Sequence, residues 1–208
     1  MLIPFSQVYE YLKSQGQKIT GILHVGAHEC EERDDYNKEG IQDNSIYWVE
    51  GNLDKVEEMR KKGIPNLFHG LVDKEVRDVE FNITNNGQSS SILPLETHTK
   101  HYPHIVVSEK RKMRTTTLKN IIEQNKVPIE SLNFWNFDIQ GAELLALEGC
   151  AEYLAFAKYI YIEVNMEHLY SGGALLSEVD DYLLSKGFVR VGIKMVEQGW
   201  GDALYIRS

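Results

Sequence analysis

The sequence predicts an α/β fold with a mostly parallel central sheet flanked by helices, and three observations carry that reading. Short, continuous apolar runs recur along the chain, at Gly21 to Val25, Ser45 to Glu50, Asn133 to Asp138 and Tyr159 to Val164. Continuous apolar runs belong to strands buried on both faces, as in parallel sheets. Segments with helical spacing lie between them, so the chain reads as repeated βαβ units. Finally, several of these strands end directly on polar residues, where open parallel sheets bind ligands.

The elements follow in order. Residues 1–18 begin MLIPFSQVYEYLKSQGQ and read as an amphipathic helix. Gln7 and Glu10 interrupt the apolar stretch, which a signal peptide would keep intact. The first strand, Gly21 to Val25, closes on Gly26 and Ala27, and a polar helix is expected from His28 to Lys38. After the second strand Asn52 can cap a helix from Leu53 to Lys62, which Gly63 and Pro65 stop. Asn66 to His69 is a third short strand. Arg77 to Thr84 alternates like a half-exposed strand, and Asn85 to Gly87 is a turn.

Residues 85–112 read as a long irregular loop. Gln88 to Ser108 carries His98, His101, Tyr102 and His104 with neither helical nor strand period. Structureless loops of that length are often functional, and a lid forming one wall of an acceptor pocket is the expectation. A strand from Met113 to Thr117 and a helix from Leu118 to Asn125 follow. Strand Asn133–Asp138, helix Ala142–Gly149, strand Tyr159–Val164, helix Ala174–Lys186 and strand Phe188–Ile193 complete the alternation, with a last strand from Ala203 to Arg207. The whole of 1–208 reads as one domain.

Composition narrows the function. A net charge of −9 over 208 residues argues against non-specific nucleic-acid binding, which needs a basic footprint. The one dense basic run, Lys110 to Arg114, reads as a solvated loop. No apolar run is long enough to span a bilayer. Cys30 and Cys150 fit reduced thiols in a cytoplasmic protein. Asn82 to Thr84 matches the glycosylation triplet, and without a secretory signal it reads as chance.

The strand ends supply the candidate site. The first leaves His24, Gly26 and His28, the second Glu50, the third Val72 and Asp73 shortly afterwards, the fourth Asp138, and the fifth Glu163 and Asn165. Gly26 lets a ligand approach the backbone. Glu50, about two dozen residues after Gly26, can accept from both ribose hydroxyls of an adenosine ligand. Asp73 can accept from an adenine amino group. Asp138 faces the cleft, Gly141 allows a sharp exit, and Glu143 stabilises the next helix through its macrodipole.

These residues resemble the FkbM family of S-adenosylmethionine-dependent methyltransferases, over about Gly21 to Arg207. Asp138-Ile-Gln-Gly-Ala-Glu143 with Leu147-Glu-Gly149 is similar to the family's Asp-x-Glu-Gly-x-Glu and Leu-x-Gly. Val25 to His28 is similar to its glycine motif, Val49-Glu50 to its ribose acid, Ser89 to Ser91 to its serine run, and Thr116 to Leu118 to its helix entry. The closing Gly199 to Ile206 is similar to members from large DNA viruses and bacteria, so the cytoplasm would be a host's if the source is viral. His24 stands where the family has Asp, Cys30 where it has Gly, and Gln140 where it has Glu.

The resemblance implies a Rossmann-like methyltransferase fold with an antiparallel last strand. It implies that S-adenosyl-L-methionine is held by His24, Gly26, Ala27, His28, Glu50, Gly51, Asn52, Val72, Asp73 and Asp138. The expected reaction is methyl transfer to a hydroxyl of a small polar acceptor, a sugar or glycan. The candidate catalytic residues are Asp138, Glu163 and His168, with His28 as a further base. In a metal-assisted alternative, Asp138, Glu163 and Asn165 share a Mg²⁺, since oxygen ligands suit that hard ion. A nicotinamide-dependent oxidoreductase and an inactive cofactor-binding module are the competing classes.

Overall fold

A computed structural model describes residues 1–208. In chain order its elements are α1 (Phe5–Ser14), β1 (Ile22–Val25), α2 (Arg33–Lys38), β2 (Ile46–Glu50), α3 (Leu53–Lys61), β3 (Leu67–His69), β4 (Asp78–Thr84), α4 (His98–His101), β5 (Val107–Arg114), α5 (Leu118–Gln124), β6 (Phe134–Phe137), α6 (Glu143–Glu148), β7 (Tyr159–Asn165), α7 (Leu176–Ser185), β8 (Phe188–Met195) and β9 (Trp200–Arg207). Seven strands form one sheet in the order β3-β2-β1-β6-β7-β9-β8. The first five of these run parallel; β9 is antiparallel to both β7 and β8. This is the Rossmann-like arrangement that the resemblance implies, with the strand order reversing at β1 and β6. No helix is long and apolar enough to cross a membrane.

The continuous apolar runs are explained by cover on both faces. Leu23, Val25, Trp135, Phe137 and Ile160 pack with α5, α6 and α7 through Ile121, Leu147 and Leu183. On the other face Ile22, Trp48, Phe134 and Tyr161 pack with α1, α2 and α3 through Phe5, Tyr36 and Val56. The alternation within β1 and β6 therefore divides residues between two buried layers, and neither face shows a polar stripe. Two helix starts carry the side-chain caps their residue types favour: Asn52 accepts from the Asp54 amide (3.0 Å), and Thr117 from the Asn120 amide (3.1 Å).

Two sequence expectations are corrected. The helix expected from His28 begins only at Arg33, and His28 and Cys30 have left-handed backbone, φ 42° and 56°. The cause is local: the His28 amide donates to Glu50 (2.8 Å), which bends the segment into a turn rather than a helix start. The stretch 85–112 is also less irregular than expected. It contains α4 and most of β5, and the basic run Lys110 to Arg114 lies in β5, paired antiparallel with β4 from Asp78↔Arg114 to Thr84↔Val107. The hydrophobic signal was weak because β5 is a two-stranded hairpin arm whose residues alternate only between exposed and half-buried.

Candidate functional site

A cavity of about 420 Å³ opens at the carboxyl ends of the parallel strands. Its floor is made by Val25 and Gly26 after β1, Val49 to Gly51 after β2, Gly70 to Val72 after β3, Asp138 to Gln140 after β6, Glu163 in β7 and Asp202 in β9. Its roof is the segment after β4, from Asn86 to Ile92, with His98, Tyr102 and Ile105. Tyr170 and Trp200 close one side.

The adenosine end is organised by Glu50. One oxygen accepts from the His28 amide (2.8 Å), the other from the Asn52 amide (2.6 Å). Burial pushes its carboxyl up, while those backbone donors pull it down. Gly26 has φ 93°, and a Cβ there would lie 1.7 Å from the Asp138 carbonyl oxygen. Gly26 is thus required first for the close approach of the β1 and β6 ends, and the same crossing leaves its backbone on the cavity wall. His28 also lies on the wall: Nδ1 pairs with Glu31 (2.6 Å), and buried Nε2 has no partner.

The other end is a cluster of acids. The Gln140 side-chain amide donates from Nε2 to both Asp138 Oδ1 (2.7 Å) and Glu163 Oε2 (2.7 Å). Its Oε1 accepts from the Tyr170 hydroxyl (2.5 Å). Asp202 pairs with Glu163 across β7 and β9, and it accepts from the Leu2 amide and the Tyr161 hydroxyl, each at 2.5 Å. Burial, then the neighbouring Asp202 charge, pushes Asp138 up to about 6. Burial first, with Asp138 and Glu143 next, raises Glu163 well above the usual carboxylate range. Glu163 is therefore the more reluctant of the two to ionise.

Glu143 does more than face a helix dipole. Its Oε1 accepts from the Ile139 amide (2.8 Å) and the Gly141 amide (3.2 Å), tying down the turn that carries Asp138 and Gln140. Burial pushes its carboxyl up to about 7. Gly141, at φ 94°, packs so closely on Tyr170 that a Cβ would meet its ring 3.0 Å away.

Several expected site residues lie elsewhere. His24 is off the cavity wall. It is a core residue beside Trp48, at 4.9 Å between ring centroids, and bonds the Tyr36 hydroxyl (3.1 Å). Asp73 is fully buried, and its two oxygens are taken by the Lys74 amide (2.7 Å) and Arg77 Nε (2.6 Å). Ala27 and Asn52 are buried behind the wall, where Asn52 serves as a cap. His168 is exposed, and its Nδ1 bonds the Gly173 carbonyl (3.0 Å). Asn165 lies off the wall with a buried Oδ1 that lacks a partner. The expected magnesium set does not fit as arranged: the Gln140 amide nitrogen lies between Asp138 and Glu163, where a shared cation would have to sit. No group of three or more His, Cys, Asp or Glu residues is arranged to hold a metal.

Asp202, Tyr170 and Trp200 were missed. Asp202 sat in a noted motif, Gly199 to Asp202, yet nothing in the one-dimensional pattern sets it opposite Glu163. Cys30 is buried, and burial pushes its thiol up to about 12; Cys150 moves the same way.

Comparison with known proteins supplies the class. Residues 24–190 match the family model of the methyltransferase FkbM domain. Magnesium protoporphyrin IX methyltransferase (ChlM) from Synechocystis PCC 6803, solved with bound SAM, aligns with 98% of this chain and 77% of its own at 10% identity, TM-score 0.49. A SAM-dependent methyltransferase from Aquifex aeolicus aligns over 96% and 88% at 14% identity, TM-score 0.40. Aeropyrum pernix fibrillarin, with natively bound S-adenosyl-L-methionine, aligns over 97% and 74% at 11% identity, TM-score 0.45. No curated protein sequence matches the chain significantly. The family match spans most of the sequence, so the chain belongs to the FkbM methyltransferase family and is an S-adenosylmethionine-dependent methyltransferase.

Proposed function

We propose that the chain is an O-methyltransferase whose acceptor is a hydroxyl of a small polar molecule of the sugar or glycan class. The observation that carries this is the pairing of two differently built carboxylate ends in one cavity. At the first, Gly26, His28, Glu50, Gly51 and Val72 line the wall and fit an adenosine moiety. Glu50 offers acceptor lone pairs beyond those its two amide donors use, as ribose hydroxyls require. The unpartnered His28 Nε2 is a further polar contact. When bound, S-adenosylmethionine supplies an electrophilic methyl group.

The chain's part is positioning and proton removal. Asp138 faces the cavity from the end of β6. With its carboxyl near 6 it is ionised at neutral pH yet basic enough to take a proton from an acceptor hydroxyl. Gln140 fixes that carboxylate by the 2.7 Å bond and shares its hold with Glu163. Glu163 acts through the shared amide, which its carboxyl helps to hold in place, and His168 takes no part. The same bridging amide supports a reaction without a divalent ion. The hydroxyl-rich roof, Ser89 to Ser91 and Tyr102, supports a carbohydrate acceptor. One domain spans 1–208 in this reading, with 85–112 as its roof, and the buried thiols accord with a cytoplasmic location.

Calorimetric titration with S-adenosylmethionine and, separately, with NAD tests the reading. The sulfonium cofactor is expected to bind and the dinucleotide to give no heat. Binding of NAD alone would overturn it.

A further inference from the structure

The cofactor and the proton-removing group use only part of this cavity. Its roof end holds a histidine with no assigned role. His98 is 4% exposed and lies on the cavity wall, and its buried Nδ1 has no hydrogen-bond partner. A buried polar nitrogen without a partner is rare in a folded chain, and a ligand group that pairs with the imidazole meets what the fold leaves unmet. The ring sits between Tyr102 and Tyr170, with centroids 5.1 Å and 5.5 Å away. Both tyrosines are fixed: Tyr102 accepts from Trp200 Nε1 (2.8 Å), and Tyr170 donates to Gln140 (2.5 Å). Tyr170 thereby connects the histidine end to the amide that holds Asp138.

Charge restricts what can lie there. The ionisable side chains on the wall, apart from tyrosines and two histidines, are Glu31, Glu32, Glu50, Asp138, Glu163 and Asp202. No Lys or Arg side chain lines it. The cationic group at the wall is the Met1 amino group, 3.3 Å from Glu32, and S-adenosylmethionine would add its sulfonium and ammonium. An anionic acceptor would meet a wall with more acids than cations, and a cationic one would sit beside the sulfonium of the methyl donor.

Building on the methyltransferase reading, we propose that the roof end is an acceptor subsite for an uncharged, multiply hydroxylated ring, anchored by a hydroxyl hydrogen-bonded to the His98 imidazole and flanked by Tyr102 and Tyr170. Burial, with His101 and His104 nearby, pushes the imidazole down, which keeps it neutral and able to accept. A neighbouring hydroxyl of the same ring is then presented toward Asp138. The subsite selects against sugar phosphates, uronates and nucleotide-sugars.

The test uses the full chain loaded with S-adenosylhomocysteine. Methyl glucoside, galactoside and mannoside are titrated by calorimetry, each beside its uronate and its 6-phosphate. At least one neutral glycoside is expected to bind, with each charged counterpart weaker by about tenfold or more. Equal or tighter binding of a charged counterpart, or no binding by any neutral glycoside, overturns the proposal. Failure of S-adenosylhomocysteine itself to bind strikes the methyltransferase reading instead. In methyl-transfer assays with the best neutral glycoside, His98→Ala should raise KM by about tenfold, the scale of one lost hydrogen bond. His98→Gln, which keeps an acceptor atom, should recover most of that loss. Unaltered S-adenosylhomocysteine affinity shows that both variants fold, and an unchanged KM in His98→Ala overturns the anchor role.

Discussion

Glu50 and Asp138 invite comparison, because both end a buried strand at the same cavity. Glu50 is held by two backbone amides, from His28 and Asn52. Asp138 is held by a side-chain amide that it shares with Glu163, and Asp202 lies close enough to raise it. Backbone donors are fixed by the fold and leave the carboxylate as a steady acceptor. A shared amide among several acids instead leaves a carboxylate whose charge depends on its neighbours. The first arrangement suits holding a neutral diol and the second suits moving a proton. Two residues of similar chemistry at similar strand positions are therefore separated in role by what donates to them.

Replacing each in turn sharpens the contrast. The largest effect is expected at Asp138→Asn, which keeps the shape but removes the base. Turnover of a confirmed acceptor should fall by about 10²–10⁴, the usual size of general-base loss, with cofactor affinity little changed. A wild-type turnover number in that variant would remove Asp138 from the chemistry. Glu50→Ala should show the reverse pattern. Loss of two charge-assisted hydrogen bonds should weaken S-adenosylhomocysteine binding by about 2–4 kcal/mol in a calorimetric titration. If both variants lost cofactor affinity equally, the proposed division of labour would collapse.

Gln140→Ala should give the smallest change, visible in pH dependence. The amide's hydrogen bond lowers the Asp138 carboxyl, opposing the burial and Asp202 charge that raise it to about 6. Removing it leaves Asp138 protonated to higher pH. The acid limb of kcat/KM, where activity is lost as pH falls, should therefore move upward from near 6 by about one unit. A limb that stays in place, or moves down, would show that the amide does not tune this acid.

The same contrast marks how far the sequence could be read. The ends of β1, β2 and β6 were legible because apolar runs stop there on small or acidic residues, and Glu50 and Asp138 both line the cavity. The roof was not. The β4–β5 hairpin is half-exposed, and pairs such as Asp78↔Arg114 join residues far apart in the chain. His24 and Asp73 misled for a related reason. Each is a polar residue near a strand end, but His24 turns into the Trp48 layer and Asp73 is taken by Arg77.

The sequence by itself determined the alternation of buried strands and helices, the parallel core of the sheet, and the positions where that sheet could bear polar groups. These follow from local periodicity and from residues adjacent in the chain. Only the tertiary structure decided which donors reach which acids, and which roof residues face them. Asp202 stands opposite Glu163 because β9 returns antiparallel to β7. Tyr170 reaches Gln140 because Gly141 leaves room for its ring. Gln140 has a left-handed backbone, φ 58°, in a turn that Glu143 secures. Those contacts depend on register and close packing between segments far apart in sequence, which a one-dimensional pattern does not contain.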